Sequence, residues 1–310
     1  MTLPASGARG AGYRLLGSRL DYVLHLRPSE WPIMAAHTSL GYLLAVGFTG
    51  AAAGRSLGSA AAGVALWVAC LNGGTLAINS AFDRDEGDIA YLRRPPPPPR
   101  FLFAFGLGMM LAGLAGALLM PRGFLLAYAA CFVMSVAYSV PPVRLKAVAG
   151  ADWLINMVGF GTLTPYAGWA VTGRPLDLPH ALVLAAFCPL FASLYPLTQI
   201  YQLDEDARRG DRTLAVRLGA ERSLDVALVA AAIAFGLFAW AGARSGWTMA
   251  GDGRVRWAAL AVAAVVWGLV LIPWRLHAAR CAPAEHQRGM YWALGAWAVT
   301  DLAVAASWAT

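Results

Sequence analysis

The sequence predicts an all-α membrane protein, and two observations lead to this prediction. Hydrophobic residues make up 59% of the 310-residue chain. Charged residues make up only 13%, whereas a soluble domain carries roughly 25%. The apolar residues are also gathered in nine stretches, each long enough to cross a hydrocarbon core of roughly 30 Å. Because the loops between these stretches are short, the sequence leaves no room for a separate soluble domain.

Each apolar stretch is predicted to form one transmembrane helix, which gives nine helices in a single bundle. Residues 1–27 are polar and basic, and they lack the short apolar core of a removable signal peptide, so we interpret them as a cytoplasmic arm. Residues 28–310 then form one transmembrane domain. The predicted helices cover residues 31–50, 60–82, 101–120, 122–140, 152–172, 181–203, 223–242, 256–274 and 290–308.

Basic residues predict the orientation of this bundle, because cytoplasmic loops retain lysine and arginine. With the N-terminus inside, the inner segments hold 18 of the 24 basic residues and the outer loops hold 6. We therefore predict a multi-pass protein of the plasma or inner membrane with a cytoplasmic N-terminus. The inner segments 83–100, 141–151 and 204–222 are predicted to cap the domain. We interpret the net charge of +7 as a signal for orientation and as a means of anchoring the loops to anionic lipid headgroups. No nucleic-acid partner is therefore expected.

Acidic residues are concentrated in two short stretches that both lie on the predicted inner side. The stretches, 83–88 and 204–211, hold eight of the seventeen acids. Ionisable residues near a bilayer are costly, so this concentration indicates function. Each stretch also continues a stripe of polar side chains along a predicted helix. The first stripe is Asn72, Thr75, Asn79 and Asp83, and the second is Tyr195, Thr198, Gln199, Gln202 and Asp206.

Two such stripes predict a cavity that opens inward and is flanked by carboxylates. Mg²⁺ prefers oxygen ligands and takes carboxylates together with phosphate oxygens, so facing clusters would bind Mg²⁺ and, through it, a diphosphate. Solvated loop ends are the alternative explanation for each cluster. The basic residues predicted to bind the diphosphate lie in the adjacent inner segments and are Arg84, Arg144, Lys146, Arg209 and Arg212.

Four segments occur in an order that is similar to one known family. They are LRPSEWP at Leu26–Pro32, NSAFDRD at Asn79–Asp85, YSVPPVRLK at Tyr138–Lys146 and DEDARRGDRTLAVRLG at Asp204–Gly219. They resemble the start of helix one, the first aspartate-rich motif, the segment after the fourth helix and the second aspartate-rich motif of the UbiA superfamily of intramembrane prenyltransferases. The resemblance covers about residues 24–220 and implies nine transmembrane helices around a central cavity.

The resemblance also implies a reaction, the Mg²⁺-dependent transfer of a prenyl group from an isoprenoid diphosphate to a lipophilic acceptor, aromatic or polyene, within the bilayer. It implies that Asn79, Asp83 and Asp206 are catalytic. Two positions depart from the family pattern, because Gly87 stands where an aspartate is usual and Gln202 replaces another. In the first motif, either Asp85, Glu86 or Asp88 substitutes for the missing aspartate or one Mg²⁺ ligand is lost. The metal ligands expected from both motifs are Asp83, Asp85, Asp88, Gln202, Asp204 and Asp206.

Other polar and aromatic residues are candidates for contacts with the substrates. Asp152 and Asn156 form an i,i+4 pair at the start of the fifth helix, where they would either contact the acceptor or cap the helix. Asp301 lies inside the ninth span and is expected to face a polar partner that the sequence does not name. The substrate-binding candidates are Tyr138, Asp152, Asn156, Tyr195 and Tyr201, and the candidate aromatic faces are Trp67, Trp153, Tyr166, Trp169 and Tyr195.

Other functions fit parts of the pattern. A terpene cyclase of the same superfamily would ionise the same diphosphate and let the chain attack itself. A secondary transporter would also carry repeats and polar residues in its spans, but it would place them near the bilayer midplane rather than at one rim. A phosphotransferase acting on CDP-activated lipids needs a DxxDGxxAR pattern, which this sequence lacks.

Overall fold

The computed structural model describes residues 7–83, 89, 92–210 and 212–310, and every side chain within them except those of Ala8 and Arg209. Regular structure in these residues is helical, apart from two isolated bridges that pair Ile89 with Leu92 and Val148 with Arg212. This confirms the predicted all-α class.

Fourteen α-helices are formed in the described part of the chain. Two π-helical segments, Ala65–Asn72 and Met157–Leu163, join α4 to α5 and α8 to α9 into longer continuous helices. The α-helices are α1 Ala8–Leu16, α2 Arg19–His25, α3 Trp31–Ala52, α4 Leu57–Val64, α5 Gly73–Asp83, α6 Leu102–Ala117, α7 Arg122–Ser139, α8 Ala151–Asn156, α9 Thr164–Ala170, α10 Leu178–Leu197, α11 Leu203–Arg209, α12 Leu214–Arg244, α13 Gly251–His277 and α14 Pro283–Trp308.

The nine predicted spans coincide with helical segments, and six segments are long and apolar enough to cross a membrane, as an integral membrane protein requires. Helix α6 is apolar but has only 16 residues. The α8–α9 segment and α14 do not meet the same criterion, so the count of nine spans stays a prediction. The six qualifying segments are Trp31–Ala52, Leu57–Asp83, Arg122–Ser139, Leu178–Arg208, Leu214–Arg244 and Gly251–Arg280.

The sixth predicted span differs from the structure at its inner end. The second polar stripe does not lie on one helix, because α10 ends at Leu197 and a 3₁₀ turn, Ile200–Gln202, precedes α11. Pro196 has no N–H for the carbonyl of Ala192, which weakens the helix at this point. The indole Nε1 of Trp153 donates to that carbonyl instead, at 2.9 Å.

Helices α3 and α9 approach each other closely enough to exclude any side chain at two glycines. A Cβ on Gly41 would lie 1.7 Å from the carbonyl oxygen of Pro165, and a Cβ on Gly168 would lie 1.7 Å from that of Thr38. Small residues at helix crossings are the usual means of tight association within a bilayer. The crossing fixes α3 against α9 beside the central cavity.

The loops gather at opposite ends of the bundle. At one end, Arg9 donates to the carbonyl oxygens of Arg93 and Arg94 at 3.0 Å, and His25 Nε2 bonds Pro96 O at 3.1 Å. At the other end, the backbone N–H of Phe48 donates to Ala309 O at 2.7 Å. The N-terminal arm therefore lies at the same end as the predicted cap segments, against the Pro95–Pro99 run.

Candidate active site

A central cavity of about 270 Å³ lies among α3, α5, α7, α8, α10, α14 and the two π-helical segments. Its walls are mostly apolar, and the aromatic side chains are found toward its deep end. The polar groups are concentrated toward the end that carries the inner loops. The lining tryptophans and phenylalanines are Trp67, Phe160, Phe191 and Trp297, and the polar lining residues include Thr75, Asn79, Tyr138, Asn156, Tyr195 and Thr198.

Asp83 is the last residue of α5, and the segment after α7 brings two cations to it. The Lys146 ammonium forms a direct ion pair with Asp83 Oδ2, and Arg144 Nη2 lies 3.5 Å from Asp83 Oδ1. Lys146 Nζ also donates to Asn79 Oδ1 at 3.3 Å, and Ser139 Oγ donates to the same oxygen at 3.4 Å. The structure thus brings Asn79, Asp83, Arg144 and Lys146 together, four residues that the sequence predicts to share a site.

This cluster is largely withdrawn from water. The side chains of Asp83 and Lys146 are only 4% and 13% exposed. Oδ1 of Asp83 is buried, and no group among the described residues donates a hydrogen bond to it, although Arg144 Nη2 lies 3.5 Å away. A buried carboxylate with a free lone pair, next to an amide oxygen, is an arrangement that suits a hard cation.

Two tyrosine hydroxyls connect the two carboxylate motifs across the cavity. The hydroxyl oxygens of Tyr138 and Tyr195 lie 2.8 Å apart. Of the nearby carboxylates, Asp152 acts most strongly on both hydroxyls, and Asp83 and Asp206 act more weakly on Tyr138 and Tyr195, respectively. The pair therefore stands between the first motif on α5 and the second motif on α11, where both tyrosines line the cavity.

Asp152 is buried behind these tyrosines and does not line the cavity. Its carboxylate accepts from Gly150 N at 2.9 Å, from Gln199 Nε2 at 3.2 Å and from Leu214 N at 3.3 Å. Gln199 Nε2 also donates to Tyr195 Oη at 3.1 Å. Asp152 consequently ties α8, the turn after α10 and the start of α12 together. Its neighbour Asn156, which donates to Asp152 O at 2.7 Å, does line the cavity.

The second motif lies on the 3₁₀ turn and on α11. Asp206 and Gln202 are half-buried, and Asp204 is exposed. Asp206 is also close enough to Tyr201 to interact with it electrostatically. Arg212 is exposed, and its backbone bridges to Val148. Within the described residues, no three His, Cys, Asp or Glu side chains form a cluster that could hold a metal ion. Arg84, Asp85, Glu86, Asp88 and the Arg209 side chain lie outside the described residues.

The aromatic candidates divide between the cavity and the scaffold. Trp67 and Tyr195 line the cavity, whereas Trp153 donates to Ala192 O and Trp169 to Arg174 O. Tyr166 places its hydroxyl against Gly123. Only the tertiary arrangement separates these roles, because all five residues lie in apolar spans.

Sequence reasoning gave no role to two polar groups on the cavity wall. The first is Glu30, which stands beside Arg27 and Asn72 at the start of α3. The second is His37, whose Nδ1 lies 3.1 Å from Asp301 Oδ1, and this pair supplies the polar partner expected for Asp301. The sequence could have pointed to both residues, because an ionisable residue within or beside a membrane span usually belongs to a functional site.

Comparison with known proteins decides the family of the chain. A model of the UbiA prenyltransferase family matches residues 38–295. The chain belongs to the UbiA prenyltransferase family. This confirms the resemblance seen in its four motifs. No curated protein matches the chain.

Solved structures agree with the UbiA fold at low sequence identity. A UbiA homolog from Archaeoglobus fulgidus, bound to DMAPP and Mg²⁺, is 20% identical with a TM-score of 0.69, over 90% of this chain and 98% of that one. The same homolog bound to GPP and Mg²⁺ has a TM-score of 0.63, over 90% and 99% of the two chains. A digeranylgeranylglyceryl phosphate synthase is 14% identical with a TM-score of 0.66, over 93% and 98%.

Proposed function

We propose that this UbiA-family protein transfers a prenyl group from an isoprenoid diphosphate to a lipophilic acceptor within the membrane, with Mg²⁺ as its cofactor. The convergence of Asn79, Arg144 and Lys146 on Asp83, at the polar end of an apolar cavity, carries this proposal. The structural homologs bound to DMAPP or GPP together with Mg²⁺ support it.

The oxygen donors at both motifs fit Mg²⁺. Asp83 and Asn79 would hold it on one side and Asp206, with Asp204 or Gln202, on the other, since this ion favours carboxylate and carbonyl oxygens and keeps several waters. The buried Oδ1 of Asp83, which accepts no hydrogen bond from the described residues, is the structural feature that supports this assignment. When bound, Mg²⁺ neutralises the diphosphate and makes it a better leaving group.

The side chains around the diphosphate stabilise the charge that develops on it. Lys146 and Arg144 would donate to diphosphate oxygens, and such fixed donors act most strongly where water is excluded. The deep cavity would take the prenyl chain, and its aromatic faces would attract the allylic cation. Tyr138, Asn156 and Tyr195 would contact the substrates, whereas Asp152 would act by positioning Gln199 and Tyr195. The cavity is proposed to open toward the cytoplasm.

Activity of the purified protein tests the proposal. It would be incubated with radiolabelled geranylgeranyl diphosphate, Mg²⁺ and a membrane lipid extract from the source organism, which supplies the acceptor. We expect a labelled lipid product that disappears on addition of EDTA. Asp83→Ala and Asp206→Ala should each lower the rate by at least about a hundredfold, because each removes stabilisation of the leaving charge. Glu285→Gln, at the exposed start of α14, is the control.

Three results would separate the alternatives. Wild-type activity in Asp83→Ala or Asp206→Ala would refute the metal assignment. Release of a labelled hydrocarbon when the lipid extract is omitted would favour a terpene cyclase over a transferase. Failure of the wild-type protein to bind a non-hydrolysable prenyl diphosphate in the presence of Mg²⁺ would refute both enzyme functions and favour a transporter.

A further inference from the structure

Glu30 is a carboxyl group on the cavity wall that the diphosphate site does not use. It directly precedes α3, is half-buried and lines the cavity. The guanidinium of Arg27 and the amide of Asn72 stand beside its carboxyl group. These neighbours are only 7% and 4% exposed, so the trio is built into the wall and does not extend into a solvated loop.

The position of Glu30 along the cavity limits what it can contact. It is level with Asn72, which lies seven residues deeper than Asn79 and therefore roughly 10 Å farther from the inner end of the cavity. Asn79 and Asp83 mark the place of the diphosphate. The carbon that loses the diphosphate must lie just beyond them, so an acceptor stacked against that carbon would reach Glu30.

We propose that Glu30 is the catalytic base that accepts the proton which the acceptor loses during transfer. The inference rests on the proposed function. The C1–O bond of the prenyl diphosphate breaks, and the electron pair leaves with the diphosphate oxygen. A bond forms between C1 and a carbon or oxygen of the acceptor, and the hydrogen on that atom passes as a proton to a carboxylate oxygen of Glu30. No oxidant or further reactant is needed.

The surroundings of Glu30 suit this role. Burial raises the pKa of its carboxyl group, and the charge of Arg27 and the nearby amide of Asn72 offset part of that rise. A base works best when its pKa lies near the operating pH. Among the described residues, Arg27 is the charged group that acts on Glu30, Tyr201 lies near Arg27, and the facing wall of α14 contributes Met290 and Leu294.

His37, a second candidate base on the cavity wall, is too deep for this step. His37 lies seven residues beyond Glu30 along α3, which places it roughly another 10 Å from the diphosphate. Its Nδ1 already bonds both oxygens of Asp301, at 3.1 and 3.2 Å. Glu30 is therefore the better placed of the two.

Glu30→Gln tests the proposal, because it keeps the shape of the side chain and removes the basic oxygen. Two quantities would be measured across pH: the single-turnover rate with the radiolabelled donor and lipid extract, and the affinity for a non-hydrolysable prenyl diphosphate with Mg²⁺. We expect the rate to fall about 10²- to 10⁴-fold, as general bases typically contribute, with unchanged donor affinity. Glu30→Asp should retain part of the rate, and Glu285→Gln all of it.

The pH dependence of the transfer rate is a second test, because the proposal predicts its direction. The wild-type rate should fall as the pH is lowered through the raised pKa of Glu30, because only the carboxylate accepts a proton, and Glu30→Gln should lack this fall. An unchanged rate and profile in Glu30→Gln would refute the proposal. Loss of donor affinity would also refute it, by assigning Glu30 to the diphosphate site. Absence of transfer in the wild-type protein refutes the proposed function itself, and with it this role.

Discussion

Lys146 and Asp83 form the most buried ion pair of the candidate site, and each depends on the other. Removing one partner of such a pair leaves an uncompensated charge away from water, which typically costs about 3–5 kcal/mol. Arg144 lies 3.5 Å from the other oxygen of Asp83 and would offset part of that cost. Lys146, the only lysine of the chain, therefore has two separable effects: on stability without ligand and on diphosphate binding.

Lys146→Met should lower the affinity for prenyl diphosphate by about tenfold or more, since a hydrogen bond to a charged group is worth about 1.5–3 kcal/mol. It should also lower the unfolding temperature of the metal-free protein, and Mg²⁺ should restore part of that loss by compensating Asp83. Equilibrium binding and thermal unfolding in detergent measure the two effects. Arg280→Met, which removes an exposed cation from the same predicted side, is the control. An unchanged affinity would remove Lys146 from the diphosphate site.

Two prolines act on the helices that carry the site by releasing backbone carbonyls to side chains. Pro165 leaves Gly161 O without its helical donor, and His37 Nε2 lies 3.5 Å from it. Pro196 likewise leaves Ala192 O without its helical donor, and this carbonyl accepts a hydrogen bond from Trp153 Nε1. In both cases a side chain from a neighbouring helix lies against the carbonyl, and at Ala192 the indole N–H of Trp153 donates to it. Such contacts link helix ends that would otherwise be independent.

A double-mutant cycle tests the second link. Trp153→Phe should destabilise the wild-type protein by about 1–3 kcal/mol, because the carbonyl of Ala192 loses its donor. In the Pro196→Ala background the same change should cost less, since the alanine N–H can take over that carbonyl. Thermal unfolding of the four proteins gives the coupling, which should reach about 0.5 kcal/mol or more. Equal costs in both backgrounds would show that the indole N–H does not serve this carbonyl.

The α3–α9 crossing makes a separate prediction at Gly168. Gly168→Ala should destabilise strongly, because the new Cβ would lie 1.7 Å from Thr38 O and the helices would have to separate. Gly108→Ala is the matched control, since its Cβ meets nothing within 4 Å on α6. That change should be neutral or slightly stabilising, as alanine favours helix over glycine by about 1 kcal/mol. Similar unfolding temperatures for the two variants would contradict the close crossing.

The bundle as one body has two unlike ends, and the orientation of these ends is a prediction from its charges. The arm, the loop with Pro95–Pro99 and the segment carrying Lys146 share one end, where the candidate site lies. The opposite end is closed by contacts such as Arg256 Nη2 donating to Thr310 Oγ1 at 2.7 Å and Trp308 Nε1 to Ser245 Oγ at 3.1 Å. The basic residues gather at the first end, which would face the cytoplasm.

Cysteine labelling in intact cells tests this orientation. In a cysteine-free background, Ser56→Cys lies in a predicted outer loop and Ser18→Cys in the N-terminal arm, and both positions are exposed. A membrane-impermeant maleimide should label position 56 in intact cells and position 18 only after permeabilisation. The reverse pattern would place the site on the outer side and would contradict the predicted orientation.

Local sequence patterns predicted the structure correctly where a single stretch of the chain contains all the information needed. The apolar stretches predicted the helices, and the spacing of Asn79 and Asp83 placed both on one face of α5. The same reasoning extended the second stripe through Gln202, where Pro196 instead ends α10 and turns the chain. It also gave His37 no partner, because Asp301 is 264 residues away in sequence.

Composition, apolar periodicity and four ordered motifs alone determined that this chain is an all-α membrane protein of the UbiA family, because each of these signals lies within a single span or loop. The structure decided which of the polar residues meet. It brought Lys146 to Asp83, withdrew Asp152 from the cavity and placed Glu30 on its wall. Such contacts depend on how separate helices cross. The crossings are determined by small residues and by carbonyls without a helical donor, and these lie on several helices. No single stretch of sequence therefore encodes them.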